Sequence, residues 1–549
     1  MHIFLRALTS LLVGAGTWQP GVRASSPSPA GSPVIQLNYS TYSGTHLLNN
    51  VDQFIGMRYA DAPLGDLRWR APHPPKKQPG TQSADHFGDY CIGTAEEIGA
   101  EQSEDCLFVN VWKPSNATAG ARLPVWIFIQ GGGFNLNYSP NYNGSEVVEK
   151  SGHSIVLVNF NWRVSLYGFL AGQSIEKDGN LNAGLLDQLL LFQWVHDNIE
   201  KFGGDPEHVV IHGSSAGAGS VALHLLNEGN RHLFAGAIME STFMPTQPHK
   251  SELEWQYDRL VRDVGCSNSS EIAQLKCLRS KTAEELQKAN RPSPFPVGGK
   301  VLAPVWYWTP CIDEKLIQDK PLRMFKEGKF LSIPMIIGNN ENEGAYFAAN
   351  ASTQQDVAIF TKSNYPRLSK QEIRSMEKFY PQPEPVPLHA PWFPAAEKSY
   401  GESTFICPAL GILDAAEKFN KKQNGSGRDL GLWSYHMNVY DKEYVSQGLG
   451  CPHGYEEGII FGPASTNTEL PNRYRPPASL STYNAPLVPI IMDYWISFVR
   501  TLSPNTYRNS NAPEWQQWDS GSGQSKLLLE KDKQLVDDGI FGAPVRGQF

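Results

Sequence analysis

The sequence predicts an α/β fold in which a large, mostly parallel central sheet carries helices on both faces. Two observations predict it: short apolar runs recur along the chain, and helical patterns lie between them. Apolar runs without polar alternation are typical of strands buried on both faces, and their alternation with helices favours parallel pairing. Hydrophobic residues make up 40% of the 549 residues and charged residues 19%, which is enough apolar material for a large core.

The order of these runs defines the predicted elements. Strands are expected at 124–130, 154–162, 208–213, 236–241 and 333–340. Helices are expected at 184–202, 219–227 and 487–502. Residues 25–33 form a flexible leader, and the proline-rich segment 380–396 predicts a surface excursion. Because no long linker, repeat or low-complexity tract follows the leader, we expect residues 25–549 to form one domain.

The first residues have the pattern of a secretory signal peptide. "MHIFLR" is positively charged, "ALTSLLVGAG" is a short apolar run, and "VRA" offers small residues before a cut after Ala24. The apolar run is too short to span a membrane, and the C-terminal residues "FGAPVRGQF" are too polar for a lipid-anchor signal. The sequence therefore predicts that residues 1–24 are removed and that the protein is extracellular, without a stable membrane anchor.

The net charge of the chain disfavours one class of binding partner, nucleic acid. Removal of residues 1–24 takes away Arg6 and Arg23 and no acid, which leaves 45 basic and 55 acidic side chains and a net charge of −10. An acidic chain without a basic cluster argues against a nucleic-acid partner. The sequence does not indicate an oligomeric state.

Sequons and cysteines agree with the secretory route. Glycosylation is expected at Asn38, Asn116, Asn143, Asn268, Asn350 and Asn424. A seventh sequon, at Asn137, is followed by Tyr-Ser-Pro, and that proline makes its use less favourable. Of seven cysteines, Cys91 and Cys106 are close in sequence, as are Cys266 and Cys277; three remain, so at least one is free or bonded outside the chain. No CxxC or HExxH pattern is present, so neither a metal nor a cofactor is predicted.

The stretch "GSSAG", Gly213–Gly217, joins a predicted strand to a predicted helix. It matches G-x-S-x-G with Ser215 at its centre, and it is the only such match in the chain. A flexible linker is one explanation of such small residues. A nucleophilic serine on a sharp strand-to-helix turn is another, because its neighbours then need little side-chain bulk. The strand before the motif and the helix after it favour the second.

A nucleophilic serine needs oxyanion donors, a base and an orienting acid. Three consecutive glycines, 131–133, follow a predicted strand and could donate backbone N–H groups together with Ala216. In this class of sheet the acid precedes the histidine along the chain. Glu341 and Glu343 both follow a strand, and His453 lies in a loop rich in glycine and proline. Order and spacing leave both acids open and favour His453 only modestly.

Longer motifs are present along the chain. They are "FGGDPEHVVIHGSSAG" (202–217), "EDCLFVNVWKP" (104–114), "MRYADAPLGDLRWRAP" (57–72), "NFNWRVSLYGFL" (159–170), "NEGAYF" (342–347), "HGYEEGIIFG" (453–462) and "YWISFVRTLSPN" (494–505). Through these motifs the chain resembles the type-B carboxylesterase/lipase family, the cholinesterase-like α/β-hydrolases, over nearly all of its mature length, and "IQGGGF" favours a secreted fungal-type member.

The resemblance implies a role for particular residues. It implies Ser215 as nucleophile, Glu343 as acid and His453 as base. Its oxyanion donors correspond to Gly132, Gly133 and Ala216. It further implies the disulfides Cys91–Cys106 and Cys266–Cys277 and the ion pairs Arg68–Glu104 and Arg163–Asp187.

Three positions depart from the family pattern. Ser214 stands where the family usually has Glu, which removes a negative charge next to the nucleophile. Gln130 stands where His or Tyr is common. Cys407 resembles a cysteine that pairs near the C-terminus in animal relatives, yet no cysteine follows Cys451, so Cys407 could pair with Cys311 or Cys451 or stay free.

The resemblance implies hydrolysis of carboxylic esters, with a small molecule or a lipid ester as substrate. Alternatives are a lipase for long acyl chains, an acyltransferase of a secondary-metabolite pathway, and a non-catalytic binding protein of the same fold. Residues 304–310, "PVWYWTP", with Phe134 and Phe347, could line the acyl side of the site or belong to the core.

Overall fold

The computed structural model describes most of the chain. Its described residues are 31–95, 97–137, 142–267, 270–296, 302–423, 431–465, 476–518, 526–531 and 546–547. The predicted signal peptide, residues 1–24, and the sequons at Asn268 and Asn424 lie outside these ranges.

The strands and helices of the described residues are as follows. The strands are β1 (Val34–Gln36), β2 (Thr41–Ser43), β3 (Thr45–His46), β4 (Val51–Arg58), β5 (Thr81–Ser83), β6 (Tyr90–Cys91), β7 (Gln102–Ser103), β8 (Phe108–Pro114), β9 (Leu123–Ile129), β10 (Val156–Phe160), β11 (Gly204–Ser214), β12 (Gly236–Glu240), β13 (Met335–Asn340), β14 (Leu432–Val439), β15 (Lys526–Lys531) and β16 (Arg546–Gly547). The helices are α1 (Ser145–Lys150), α2 (Ser165–Phe169), α3 (Gln173–Asp178), α4 (Ala183–Asn198), α5 (Ala216–Leu225), α6 (Glu254–Asp263), α7 (Glu271–Ser280), α8 (Ala283–Ala289), α9 (Pro321–Lys326), α10 (Gln354–Asn364), α11 (Lys370–Phe379), α12 (Phe393–Gly401), α13 (Cys407–Gln423), α14 (Lys442–Ser446), α15 (Glu457–Ile460) and α16 (Val488–Thr501). A π-helix, Glu402–Ile406, joins α12 to α13.

The main sheet has eleven strands within the described residues, in the order β16-β15-β14-β13-β12-β11-β9-β10-β8-β4-β3. The seven strands from β15 to β10 in this order pair in parallel. Antiparallel strands complete both edges, with β8, β4 and β3 on one side and β16 on the other. The predicted α/β class is confirmed, and each predicted strand and helix is present.

Strand β9 shows why its sequence does not alternate between apolar and polar residues. Val125, Ile127 and Ile129 face the core layer that includes residues of α4 and α5, whereas Trp126 and Phe128 face the layer that includes residues of α16. Successive side chains of a strand point to opposite faces, so a strand covered on both faces is apolar throughout. None of the helices in the described part of the chain is long and apolar enough to cross a membrane.

Two predicted boundaries were wrong. The helix after "GSSAG" begins at Ala216, before the predicted position 219, because buried packing outweighs the poor helix propensity of its glycines. The proline-rich excursion ends earlier than predicted. Residues 381–390 are mostly exposed, but 393–396 belong to α12, whose second residue, Pro394, is tolerated because its missing N–H would have no helical acceptor.

Disulfides and buried ion pairs hold the surrounding loops. Disulfides join Cys91 to Cys106 and Cys266 to Cys277, while Cys311, Cys407 and Cys451 are free thiols. Cys407 therefore pairs with neither candidate partner. Both expected ion pairs are present and bidentate. Arg68 binds Glu104 at 2.6 and 2.5 Å, and Arg163 binds Asp187 at 2.8 and 2.7 Å.

Candidate active site

The turn between β11 and α5 holds Ser215 in a strained conformation. Its φ of 56° and ψ of −123° lie in a region that residues with a side chain rarely adopt. The flanking glycines are needed because the backbone is crowded there. A Cβ on Gly213 would overlap the backbone of Gly217, and a Cβ on Gly217 would overlap the carbonyl oxygen of Ile129. The small residues of "GSSAG" thus serve the turn.

Helix α5 begins directly after Ser215 and is ten residues long. The N–H of Ala216, its first residue, has no acceptor within the helix. The positive end of the helix dipole lies at the same place. A negative charge that develops on an atom bound to Ser215 would therefore meet both a free donor and a favourable field.

The three glycines after β9 lie against Ser215. A Cβ on Gly131 would be 2.9 Å from the Cβ of Ser215, and Gly132 has a φ of 111°. The carbonyl oxygen of Gly132 accepts hydrogen bonds from the N–H groups of Asn135 (3.0 Å) and Leu136 (2.8 Å). Since a trans peptide is planar, the N–H of Gly133 points away from that carbonyl oxygen and is directed opposite to these two donors.

Glu343 and His453 lie together beyond the end of β13. Glu343 is fully buried, and its Oε2 lies 2.5 Å from Nδ1 of His453. Its Oε1 accepts from the backbone N–H of Asn340 at 2.8 Å and from the Asn339 amide at 3.3 Å. Because the carboxylate accepts from Nδ1, the proton lies on that nitrogen, and Nε2 is left free to accept one. The other candidate acid, Glu341, lies 2.7 Å from Nε2 of His436 instead.

The surroundings of His453 favour its protonated form. Burial acts to lower its pKa, but the charge and hydrogen bond of Glu343, with smaller contributions from Glu456 and Glu457, raise the pKa above the ordinary value of 6.5. Among the described residues no hydrogen bond joins the Ser215 hydroxyl to His453. Such contacts are often long in ligand-free enzymes and tighten when substrate binds.

Aromatic rings pack against the His453 ring and against the glycine loop. The rings of Phe405 and Phe347 lie 4.5 and 5.1 Å from the His453 ring, and they stack on each other at 5.7 Å. Trp306 packs over Gly133, where a Cβ would overlap its indole ring, and contacts Phe347 at 5.7 Å. Sequence reasoning missed Phe405, which the π-helix brings to the site from a distant part of the chain.

Other aromatic residues that could have lined the site belong to the core. Phe134 is fully buried and packs on Trp162, Phe169 and Phe243. Within the segment 304–310, Tyr307 and Trp308 are buried, each about 2% exposed, whereas Trp306 packs against Gly133.

The structure shows the surroundings of Gln130 and Ser214, the two positions near Ser215 that depart from the family pattern. Gln130 is buried, and its amide donates to Asn137 (3.0 Å) and Asn161 (3.2 Å). Ser214 is in register with Glu240 of the neighbouring strand, so a buried carboxyl lies beside the position where the family usually has Glu.

The Glu240 carboxyl has its own buried partners. Oε1 of Glu240 lies 2.9 Å from Nε2 of His212 and accepts from the Trp495 indole at 2.7 Å. Burial, with the charge of Glu457, raises the pKa of Glu240 well above its usual value, and burial lowers the pKa of His212 to about 3. Sequence reasoning missed Glu240, for which an acid inside an apolar strand was the available signal.

Four of the described sequons are compatible with glycosylation. Asn38, Asn116, Asn143 and Asn350 are exposed. Asn137, the sequon followed by proline, is only 2% exposed, and its amide donates to the carbonyl oxygen of Trp162 at 3.0 Å.

Comparison with known proteins agrees with this geometry. The chain matches the model of the carboxylesterase family over residues 31–543, and it belongs to that family. It is a carboxylic ester hydrolase, and the resemblance noted in the sequence is confirmed.

Individual relatives extend over most of the chain. Lipase 2 of Geotrichum candidum is 30% identical, with 96% of each chain covered. A secreted triacylglycerol lipase of Gibberella zeae is 29% identical over 88% of this chain and 86% of its own. The crystal structure of EstA from Aspergillus niger superposes with a TM-score of 0.85 at 44% identity, and covers 92% of this chain and 97% of EstA.

Proposed function

We propose that the protein is a secreted serine hydrolase that cleaves carboxylic esters through an acyl-enzyme on Ser215, with His453 as base and Glu343 as acid. The observation that carries the proposal is a strained serine at the start of α5 with a glycine loop against it, linked through the packed rings of Trp306 and Phe347 to a buried Glu–His pair. Each is a part that acyl transfer requires.

The proposed reaction has two halves. Nε2 of His453 takes the proton of Ser215 as its Oγ attacks the ester carbonyl carbon, and the carbonyl electron pair becomes an oxyanion that the N–H groups of Gly132, Gly133 and Ala216 stabilise. The tetrahedral intermediate collapses, the C–O bond to the alcohol breaks, and His453 returns the proton to the leaving oxygen. Water then attacks the acyl-enzyme through the same groups and releases the acid.

Short acyl groups fit the site best. Trp306 closes the space next to Gly133, and it also lines a cleft together with Pro245, Phe295, Tyr365 and Tyr400. Hydrolysis of long-chain lipid esters is the second candidate, favoured by the lipases among the relatives. It would require the indole to move aside.

Secretion completes the proposal. Residues 1–24 would be removed as a signal peptide, 25–549 would form one domain, and the exposed sequons with Asn268 and Asn424 would carry glycans. Two disulfides support an oxidising compartment.

The test is hydrolysis of p-nitrophenyl esters from acetyl to palmitoyl by the purified protein and by Ser215→Ala. We expect turnover that is lost in the variant, stoichiometric labelling of Ser215 by a fluorophosphonate, and a maximum at short chains. A folded protein that neither turns over esters nor reacts with the probe would contradict the proposal in favour of a binding protein. Ester products formed with an added alcohol would identify an acyltransferase instead.

A further inference from the structure

The side chain of Asn135 ties the glycine loop to another segment of the chain. It is 3% exposed, and its Nδ2 donates to the carbonyl oxygens of Gly133 and Trp308, both at 2.7 Å. Its Oδ1 accepts from the backbone N–H of Trp308 at 3.0 Å and from the Thr94 hydroxyl at 3.2 Å. An amide has two donor hydrogens and two acceptor lone pairs, so Asn135 uses all of them.

These bonds fix both peptide groups that flank Gly133. The amide of Asn135 holds the Gly133 carbonyl oxygen, and the backbone N–H groups of Asn135 and Leu136 hold the Gly132 carbonyl oxygen. Glycine alone sets little resistance to rotation of its peptide groups. If either group rotated, a carbonyl oxygen would turn toward the position of the oxyanion, where it would repel the charge that the N–H should stabilise.

We propose that Asn135 is a positioning residue of the oxyanion hole, which keeps the Gly133 N–H directed at the substrate carbonyl oxygen. The inference rests on the proposed function, because it assumes that Gly133 is an oxyanion donor. Asn135 touches no substrate in this account; it acts through the Gly133 and Gly132 peptides. Its bond to Trp308 also fixes the loop relative to the segment that carries Trp306.

Asn182 offers a matched control, because its side chain binds the backbone of the same segment, at Cys311, three residues after Trp308. It is also a buried asparagine, 2% exposed, and its amide pairs with one backbone residue in the same way. Its Nδ2 donates to the carbonyl oxygen of Cys311 at 2.9 Å and to Oδ2 of Asp313 at 3.0 Å, and its Oδ1 accepts from the N–H of Cys311 at 2.9 Å. Asn182 has no bond to the glycine loop, so its loss tests the same kind of support without the proposed role.

The experiment compares Asn135→Ala and Asn135→Asp with Asn182→Ala in the full protein. The probe is an alkyl trifluoromethyl ketone, to which Ser215 adds: the Oγ–C bond forms, the serine proton passes to His453, and the carbonyl oxygen becomes an oxyanion. The matching trifluoromethyl carbinol has the same shape but forms no oxyanion. Inhibition constants for both, kcat and KM are measured, with active sites counted by fluorophosphonate titration and folding followed by thermal unfolding.

We expect the Asn135 variants to lose about 10- to 100-fold in ketone affinity and in kcat, somewhat less than the effect of deleting an oxyanion donor outright. Carbinol affinity and KM should stay within about twofold, since neither depends on the oxyanion. Asn182→Ala should lower the unfolding temperature but leave the ratio of ketone to carbinol affinity unchanged.

Each other outcome contradicts the inference. An unchanged ratio in the Asn135 variants, or an equal change in Asn182→Ala, would show that Asn135 acts on stability alone. The same conclusion would follow if Asn182→Ala folds and neither Asn135 variant does. Failure of the proposed function is distinguishable, because the wild-type protein itself would then neither turn over esters nor bind the ketone more tightly than the carbinol.

Discussion

Oε2 of Glu343 lies 2.5 Å from Nδ1 of His453, and no other carboxyl group of the described residues makes a hydrogen bond to that ring. The carboxyl of Glu343 is held from the other side by the backbone N–H of Asn340 and the amide of Asn339. It is therefore fixed before substrate arrives. In the proposed mechanism, such a fixed, buried partner would orient the imidazole and stabilise its cation.

Glu343→Gln should lower kcat by about 10³- to 10⁴-fold, because an amide can donate to Nδ1 and so favour the wrong tautomer, and because it cannot stabilise the cation. The measurement is p-nitrophenyl butyrate hydrolysis normalised to folded protein. Glu341→Gln is the matched control: its partner is His436, so we expect a change of a few-fold at most. A larger loss of kcat in Glu341→Gln than in Glu343→Gln would contradict the assignment of Glu343 as the acid.

The pKa of His453 predicts the acid limb of the pH profile. Burial lowers this pKa, but the charge and hydrogen bond of Glu343 outweigh burial and raise it above 6.5. The base must be unprotonated to accept from Ser215, so kcat/KM should fall as the pH drops through a midpoint above 6.5.

The same variants test that assignment. In Glu343→Gln the raising contribution is lost while burial remains, so the midpoint of the residual activity should move to lower pH. Glu341→Gln should leave the midpoint in place. If the midpoint of the acid limb is unchanged in Glu343→Gln, a group other than His453 controls that limb of the pH profile.

The sequence predicted the sheet well because its strands are buried on both faces and are apolar throughout. It predicted the sharp turn at Ser215 because that turn needs small residues where the backbone is crowded. It could not choose between Glu341 and Glu343 by spacing, since both follow the same strand and lie two residues apart. That choice came from the resemblance.

Contacts between distant segments could not be predicted from the sequence. Phe405 packs on His453 from a π-helix, and the Asn135 side chain pairs with the backbone of Trp308. Neither residue belongs to a pattern of the sequence, because these contacts depend on tertiary packing. Glu240 stands out in the sequence as an acid inside an apolar strand, but its pairing with Ser214 follows from the strand that lies beside it.

Trp306→Ala should change the chain-length preference. The indole packs over Gly133 and also lines the cleft that contains Phe295, so its removal should open the space above Gly133 toward that cleft. Burial of each methylene contributes about 0.8 kcal/mol, so the four additional methylenes of an octanoyl ester could gain up to ~3 kcal/mol over a butyryl ester. We expect the ratio of octanoate to butyrate kcat/KM to rise by about 10- to 100-fold.

Phe295 supplies the control for that prediction. It lines the cleft and is absent from the walls described around Ser215, so Phe295→Ala alone should leave the chain-length profile unchanged. Combined with Trp306→Ala, it should alter octanoate more than butyrate turnover. An unchanged profile in Trp306→Ala, with butyrate activity retained, would mean that the cleft does not receive the acyl chain.

Ser214→Glu tests whether Glu240 occupies the electrostatic place of the usual family Glu. Ser214 and Glu240 are in register on adjacent parallel strands and both are fully buried, so two carboxyl groups would lie on one face about 5 Å apart. Two carboxyl groups at that distance in a buried site cannot both ionise without strong repulsion between their charges. We expect Ser214→Glu to lower the free energy of unfolding by about 3 kcal/mol or more near pH 7, measured by urea denaturation.

The pH dependence and a second substitution make that test specific. A buried carboxyl group whose folded pKa is raised stabilises the protein below its unfolded pKa and loses that contribution as the pH rises toward the folded value. The loss in Ser214→Glu should therefore grow with pH, and Glu240→Gln in the same chain should restore much of it. Ser214→Ala should cost about 1 kcal/mol or less, because among the described residues the Ser214 hydroxyl has no hydrogen-bond partner. If Glu240→Gln fails to restore stability, crowding rather than charge excludes Glu from position 214.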